Sequence, residues 1–157
     1  MSQQKIFLKA AWRNLLIANY TCNEEILKKY LPAHTELDTF NGQHLISLVA
    51  FQFLETKVLG IKFPFHTNFP EVNLRFYVKY NDKGTWKRGV VFIKEIVPKT
   101  MITFVANTFF NENYETMSMA QQVAIKQDAI YANYTWGKAN VFSAIADTQK
   151  VAMKDGS

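Results

Sequence analysis

One segment constrains the fold more than any other: EVNLRFYVKY, residues 71–80. Side chains of an extended strand alternate between its two faces. Val72, Leu74, Phe76 and Val78 therefore point one way, and Glu71, Asn73, Arg75 and Tyr77 the other. Asn81-Asp82-Lys83-Gly84 follows, a run of turn-forming residues. Trp86 to Glu95 (WKRGVVFIKE) then supplies the return strand of a hairpin. A chain built around such a hairpin is committed to an antiparallel sheet with one apolar face to cover.

The remaining elements read outward from that hairpin. Trp12 to Tyr20 is a strand. Asn23 is a helix N-cap, followed by Glu24 and Glu25 at the positive end of the helix dipole. Ile26, Leu27, Tyr30 and Leu31 form an apolar stripe, and Pro32 ends the helix after about two turns. Leu37 to Phe40, Asn41-Gly42 and Gln43 to Leu54 predict a second hairpin, because Asn-Gly accepts the positive φ angles of a tight turn. Gly60 to Pro70 reads as a loop. Over Pro98 to Phe110 the apolar period changes: Ile102, Val105, Ala106, Phe109 and Phe110 mark an amphipathic helix. Tyr114 to Ala124, Asp128 to Trp136 and Asn140 to Ala146 are three further strands, with Gly137 at a turn. Seven or eight strands and two short helices predict a mainly β, β-rich α+β chain, and a barrel would remove its exposed edges.

At 157 residues the chain suits a single domain, 1–157, with enough length for one real core. Its aromatic content of 15% favours pleated surfaces. One cysteine, Cys22, rules out an internal disulfide and any Cys-based zinc motif, so a reducing cytoplasm is the expected location. Met1 to Lys9 lacks the apolar run of a signal peptide, and no stretch approaches the roughly 20 apolar residues of a membrane span. The net charge of +5 is spread along the chain, with Lys28-Lys29 and Lys87-Arg88 as its adjacent basic pairs. A nucleic-acid partner would call for a basic stripe. Neither nucleic acid nor membrane is an expected partner.

Several segments together carry a family resemblance. Trp12-Arg13-Asn14-Leu15-Leu16, the helix ending Tyr30-Leu31-Pro32, and Leu48-Val49-Ala50-Phe51 are the first. Pro70-Glu71-Val72-Asn73-Leu74-Arg75-Phe76-Tyr77-Val78, then Arg88-Gly89-Val90-Val91-Phe92, are the most specific. In these the chain resembles the YqjF-like family of conserved bacterial proteins, with its Glu-x-Asn-x-Arg-x-Tyr-Val strand. The resemblance covers most of the chain. It implies an acetoacetate-decarboxylase-like fold: an antiparallel β barrel with small helices around it and a central pocket. It also makes a homo-oligomer an expectation. Other members continue past a point like Ser157, so the chain is expected to be either a short member or one truncated at its C-terminus.

Decarboxylases of that superfamily use a lysine as Schiff-base nucleophile, in a motif of glutamate, aromatic, Pro, Lys, Lys. The corresponding region here, Ala106 to Tyr114, contains no lysine. Glu95-Ile96-Val97-Pro98-Lys99 has one lysine at the wrong spacing, and Lys99 reads as a solvated residue at a helix start. The chain also departs from the family by holding Asn107 where an Arg is usual, and Asn113 where a Pro precedes the tyrosine.

The candidate ligand-binding set is Glu71, Asn73, Arg75, Tyr77, Arg13 and Tyr114. Catalytic residues are not assigned by sequence. Arg75 could clamp a carboxylate, and Glu71 could act as a base or orient the arginine. The same polar strand face could instead be solvated outer surface. Arg88 and Glu95 have opposite parity and can share a face only if a bulge intervenes. His34, His44 and His66 show no metal-ligand spacing, and no phosphate-binding glycine loop exists, so neither metal nor cofactor is expected. Phe63, Phe65 and Phe69 read either as a lid or as satellite core. Three functions stay open: binding of a small organic molecule, a lyase or other enzyme on small carboxylate or keto compounds, and an interaction protein with a solvated polar face.

Overall fold

The computed structural model describes residues 8–58, 67–110 and 112–147. The chain begins with strand β1 (Leu8–Thr21), the single helical turn α1 (Glu24–Leu27) with a 3-10 turn after it (Lys28–Tyr30), and β2 (Glu36–Leu37). Three long strands follow, β3 (Leu45–Val58), β4 (Phe69–Asp82) and β5 (Thr85–Val97). Helix α2 (Thr100–Phe110) leads to β6 (Tyr114–Thr116), and β7 (Met119–Lys126), β8 (Ala129–Trp136) and β9 (Asn140–Asp147) complete the chain.

The first sheet runs β1-β3-β4-β5-β6, with β2 attached to β4. The predicted β4–β5 hairpin is present, its turn closed by positive φ at Lys83 and Gly84. Asn23 caps α1 by accepting from the Glu25 amide at 2.9 Å. Of the stripe expected on this helix, Leu27 is buried and Leu31 packs beside it, whereas Ile26 and Tyr30 are about half exposed. The Asn41-Gly42 turn forms, with both φ positive, but it joins only the isolated pair Phe40 and Gln43. The strand before it, β2, pairs with β4 at Lys79 and Val78, so the expected hairpin with β3 is replaced by a bridge across β4. Strand β6 lies parallel to β5, because α2 carries the chain back over the sheet between them. The strand expected over Tyr114 to Ala124 is two strands, broken at Met117-Ser118, and they belong to different sheets.

The expected closed barrel is not what the described residues form. They make two open sheets, the second being the antiparallel meander β7-β8-β9. Closure needs the end strands of one sheet to pair. Here β1 and the three-residue β6 stand at opposite ends of the first sheet, and the meander stacks on its face instead of joining its edge.

That stacking explains why β3 and β4 are apolar on both sides. On one face, Ala50 and Val72 meet Ala132 and Tyr134 of the meander, and Phe76 and Val78 meet Leu27 of α1. On the other face, here the α2 face, Val49, Phe51, Phe53, Phe69 and Val97 pack with Ile102 of α2 and with Tyr114. Each fully buried aromatic of this kind contributes about 1.5–3 kcal/mol. Phe69 is thus core, while Phe63, Phe65 and His66 lie outside the described residues.

Candidate functional site

Cross-strand neighbours share a face, so the ladder registers show what the α2 face presents. Phe51 pairs with Glu71, Val49 with Asn73 and Ser47 with Arg75. On the other side Asn73 pairs with Glu95, and Glu95 with Tyr114. The sheet itself therefore sets Glu71, Asn73, Glu95 and Tyr114 side by side. A register shift makes this possible. Leu74 opposes Lys94 but Arg75 opposes Phe92, leaving Ile93 as an extra residue in β5. The bulge resolves the parity conflict between Glu95 and Arg88. Arg88 still lies outside the site, at the distal end opposite Lys79, exposed and paired with Asp38 at 3.0 Å.

Glu71 is 2% exposed and Glu95 4% exposed, so each carboxyl has left water. Asn73 Nδ2 donates to Glu71 Oε1 at 3.0 Å, and the Tyr114 hydroxyl donates to Oε2 at 3.2 Å. Burial pushes Glu71 up from 4.5 to about 7, against the lowering effect of these two bonds and of the Arg75 charge. Burial, and then the neighbouring Glu71, push Glu95 up to about 8. Burial beside the same two carboxylates holds the Tyr114 phenol above its ordinary range, so it remains a donor. Glu112, just before β6, adds further negative charge. Arg75 is the cation that acts on Glu71. Its Nε is buried with no hydrogen-bond acceptor among the described residues.

Beside this polar floor runs an aromatic row. Trp12 stacks on Phe51 at 4.6 Å between centroids, Phe51 meets Phe53 at 4.9 Å, and Phe53 meets Phe69 at 5.0 Å. Trp12 pairs with Phe53 and so shares this face, while half of its surface remains open. Arg13 pairs with Gln52 on the opposite face, is exposed, and donates to the Trp12 carbonyl. The structure therefore brings together Glu71, Asn73, Arg75 and Tyr114, places Tyr77 further along the same face, and leaves Arg13 outside. The Tyr77 hydroxyl meets Ser47 Oγ at 2.7 Å, and Ser47 donates in turn to Asn19. Ser47 is fully buried, so this bond network has a fixed anchor.

Sequence reasoning missed Glu95, whose face depends on the bulge, and the residues that aim Tyr114. Asn107 Nδ2 donates to the Tyr114 carbonyl at 2.9 Å, and the Tyr114 amide donates to Asn107 Oδ1 at 2.8 Å. Asn113 Nδ2 donates to the Ile93 carbonyl at 2.6 Å, at the bulge itself. The two asparagines that depart from the family pattern are thus those that fix β6 to α2 and β5. His44, within reach of Glu24 at 3.6 Å, and the other acidic and histidine side chains form no cluster of three metal-ligating groups among the described residues. No helix among them is long and apolar enough to cross a membrane.

Comparison with known proteins agrees with the fold. Over 109 residues the chain is 35% identical to the protein YqjF of Bacillus subtilis (strain 168), an alignment covering 68% of this chain and 43% of that protein. The acetoacetate decarboxylase of Legionella pneumophila superposes with a TM-score of 0.59 at 12% identity, over 83% of this chain and 45% of that one. An acetoacetate decarboxylase-like enzyme from Sphingomonas wittichii RW1 gives 0.57 at 12% identity, over 82% and 52%. The chain therefore spans about half the length of the proteins it matches, and at this identity the structural likeness is one of fold alone. A family profile matches residues 9–154, nearly the whole chain. The chain's described fold is similar to part of the acetoacetate decarboxylase fold, and the chain belongs to the DUF2071 family, described as an uncharacterized conserved protein.

Proposed function

We propose that this chain binds a small organic anion on the α2 face of its first sheet. Arg75 is the counter-ion, Glu71, Asn73, Glu95 and Tyr114 form the polar floor, and the row from Trp12 to Phe69 supplies the apolar wall. The observation that carries this reading is the Arg75 guanidinium, whose Nε is buried without an acceptor among the described residues, near the buried Glu71 carboxyl. A buried donor left unmade is costly, and a ligand carboxylate would satisfy it with a charge-assisted bond. Binding sites typically combine this kind of apolar lining with a few convergent polar groups.

A second reading, an enzyme acting on small carboxylate or keto compounds, is favoured by a different observation. Glu71 and Glu95 titrate at about 7 and about 8, near enough to neutrality for general acid and base work. Neither reading uses a Schiff-base lysine, whose motif the sequence lacks.

The test is a thermal-shift screen of small carboxylates against the wild type and Arg75→Ala. A ligand at 100 times its Kd stabilises the native state by about 2.7 kcal/mol. A rise in melting temperature that disappears in Arg75→Ala supports the anion site. Equal responses in both proteins, or none in either, would remove Arg75 from any site. Turnover assays on the compounds that bind then separate the two readings.

A further inference from the structure

Five buried side-chain atoms among the described residues have no hydrogen-bond partner: Thr56 Oγ1, Asn73 Oδ1, Arg75 Nε, Glu95 Oε2 and Asn133 Oδ1. Three of them stand together. Asn73 and Glu95 are direct cross-strand partners, and Arg75 is the next residue on the same face of β4. Thr56 and Asn133 belong to other parts of the fold, the end of β3 and the middle of β8. Buried polar groups are nearly always paired, so a group of three at one place points to a ligand.

The three atoms differ in what they ask for. Arg75 Nε can only donate. Asn73 has its amide nitrogen engaged with Glu71 Oε1 at 3.0 Å, which fixes the amide's orientation and leaves Oδ1 as an acceptor. Glu95 Oε2 accepts once that carboxyl is ionised, above about pH 8. Above that pH the site therefore presents one donor and, from the neighbouring same-face position of β4 and its cross-strand partner, a pair of acceptors. A plain carboxylate would satisfy only Arg75. A keto group would set a second acceptor against Asn73 Oδ1 and satisfy nothing there.

From this we infer that the ligand is a short-chain carboxylate carrying its own hydrogen-bond donor, a hydroxyl or an ammonium, with the carboxylate on Arg75 Nε and the donor on Asn73 Oδ1 and Glu95 Oε2. The inference rests on the anion-binding reading and adds a chemical class to it. The donor matters as much as the charge, because a site with unmet acceptors rejects analogues that cannot fill them more strongly than an apolar site rejects a missing methylene.

Isothermal titration at pH 9, where Glu95 is ionised, of the 157-residue chain with four compounds on one carbon skeleton tests it: 3-hydroxybutyrate, 3-aminobutyrate, 3-oxobutyrate and butyrate. The expected result is binding of the hydroxy or the amino compound at least about tenfold tighter than the oxo compound and butyrate, as for a single well-placed hydrogen bond. Which of the two is preferred separates hydroxyl from ammonium. In Glu95→Gln the ammonium compound loses affinity and the hydroxy compound largely retains it. Asn73→Ala combined with Glu95→Ala, which removes both acceptors, brings the four to within about twofold of one another. The wild-type ranking decides the matter even if that double variant fails to fold. Four compounds binding equally, with loss in Arg75→Ala, would overturn this inference and leave the anion site standing, as would tightest binding of the oxo compound. Binding by none of the four overturns both.

Discussion

Glu71 and Glu95 are buried on adjacent strands of one sheet, and each lies within the electrostatic reach of the other. Glu95 stands opposite Asn73, the residue that donates to Glu71, so the two carboxyls belong to one bonded cluster. Both are raised above their ordinary value, chiefly by burial. The folded state thus holds protons that the unfolded chain releases near 4.5. Between that value and the folded values of about 7 and about 8, the native state binds more protons and stability falls as pH rises. The favourable contribution is complete below about pH 4.5 and gone above about pH 8. For Glu71 alone the change is on the order of 3 kcal/mol.

The first prediction follows from that slope. Through Glu71 alone the melting temperature of the wild type drops by roughly 5–10 °C between pH 5 and pH 8, and Glu95 adds to the fall. Glu71→Gln with Glu95→Gln, which keeps the shapes and removes the titration, flattens the profile. Calorimetry across this range checks it. A wild-type curve as flat as the double variant's would mean that the carboxyls are hydrated in solution.

Tyr114→Phe removes the hydroxyl that donates to Glu71 Oε2 and keeps the ring that packs against the cluster of Val49, Phe51, Phe53, Phe69 and Val97. The lost bond favoured the ionised carboxylate, so Glu71 titrates at higher pH in the variant. Stability at pH 8 falls by about 1–2 kcal/mol, with a smaller loss at pH 5. Carbon-13 NMR of the glutamate carboxyls reads the shift directly. A downward movement of the Glu71 titration would contradict the assigned direction.

Arg13 and Trp12 make a paired prediction. The two are neighbours in sequence but lie on opposite faces, Trp12 against Phe51 and Arg13 exposed opposite Gln52. Arg13→Ala should leave the melting temperature and any ligand response within about 0.5 kcal/mol of wild type, as for other exposed positions. Trp12→Ala should weaken ligand response, because it removes the open end of the aromatic row. Loss of binding in Arg13→Ala would require a different site.

How much of this was legible in the sequence depended on whether the signal was local. The β4–β5 hairpin could be read because alternation and turn residues sit within a single segment. Glu71, Asn73 and Arg75 could be read as one face for the same reason. The face of Glu95 could not, since the bulge at Ile93 falls inside an unbroken apolar run with no glycine or proline to mark it. The break between β6 and β7 at Met117-Ser118 is marked only by Ser118, a weak turn signal without glycine or proline beside it. Barrel closure was expected from strand content and family likeness, yet it depends on which edges meet, and no short segment encodes that. Arg13 could be read either as lining the site or as exposed, because alternation separates it from Trp12 without saying which of the two faces α2.

The last prediction concerns the contact that ties the two sheets together. Tyr134 of β8 is fully buried, and its hydroxyl donates to the Asn14 carbonyl at 2.7 Å. Asn14 lies in the irregular stretch of β1, with φ of 54°, a left-handed conformation that asparagine tolerates better than most residues. Its side chain also donates to Gln52 Oε1 at 2.8 Å. Tyr134→Phe leaves the ring in place and strands that carbonyl without its donor, at a cost of about 1–3 kcal/mol. The melting temperature should fall by roughly 3–10 °C. The same loss should appear at pH 5 and at pH 8, because the phenol stays protonated throughout, pushed up to about 12 by burial. Amide exchange should quicken in β8 and around Asn14 together, as one cooperative contact opening. Faster exchange in β8 alone would show that the meander is held by its apolar face and not by this bond.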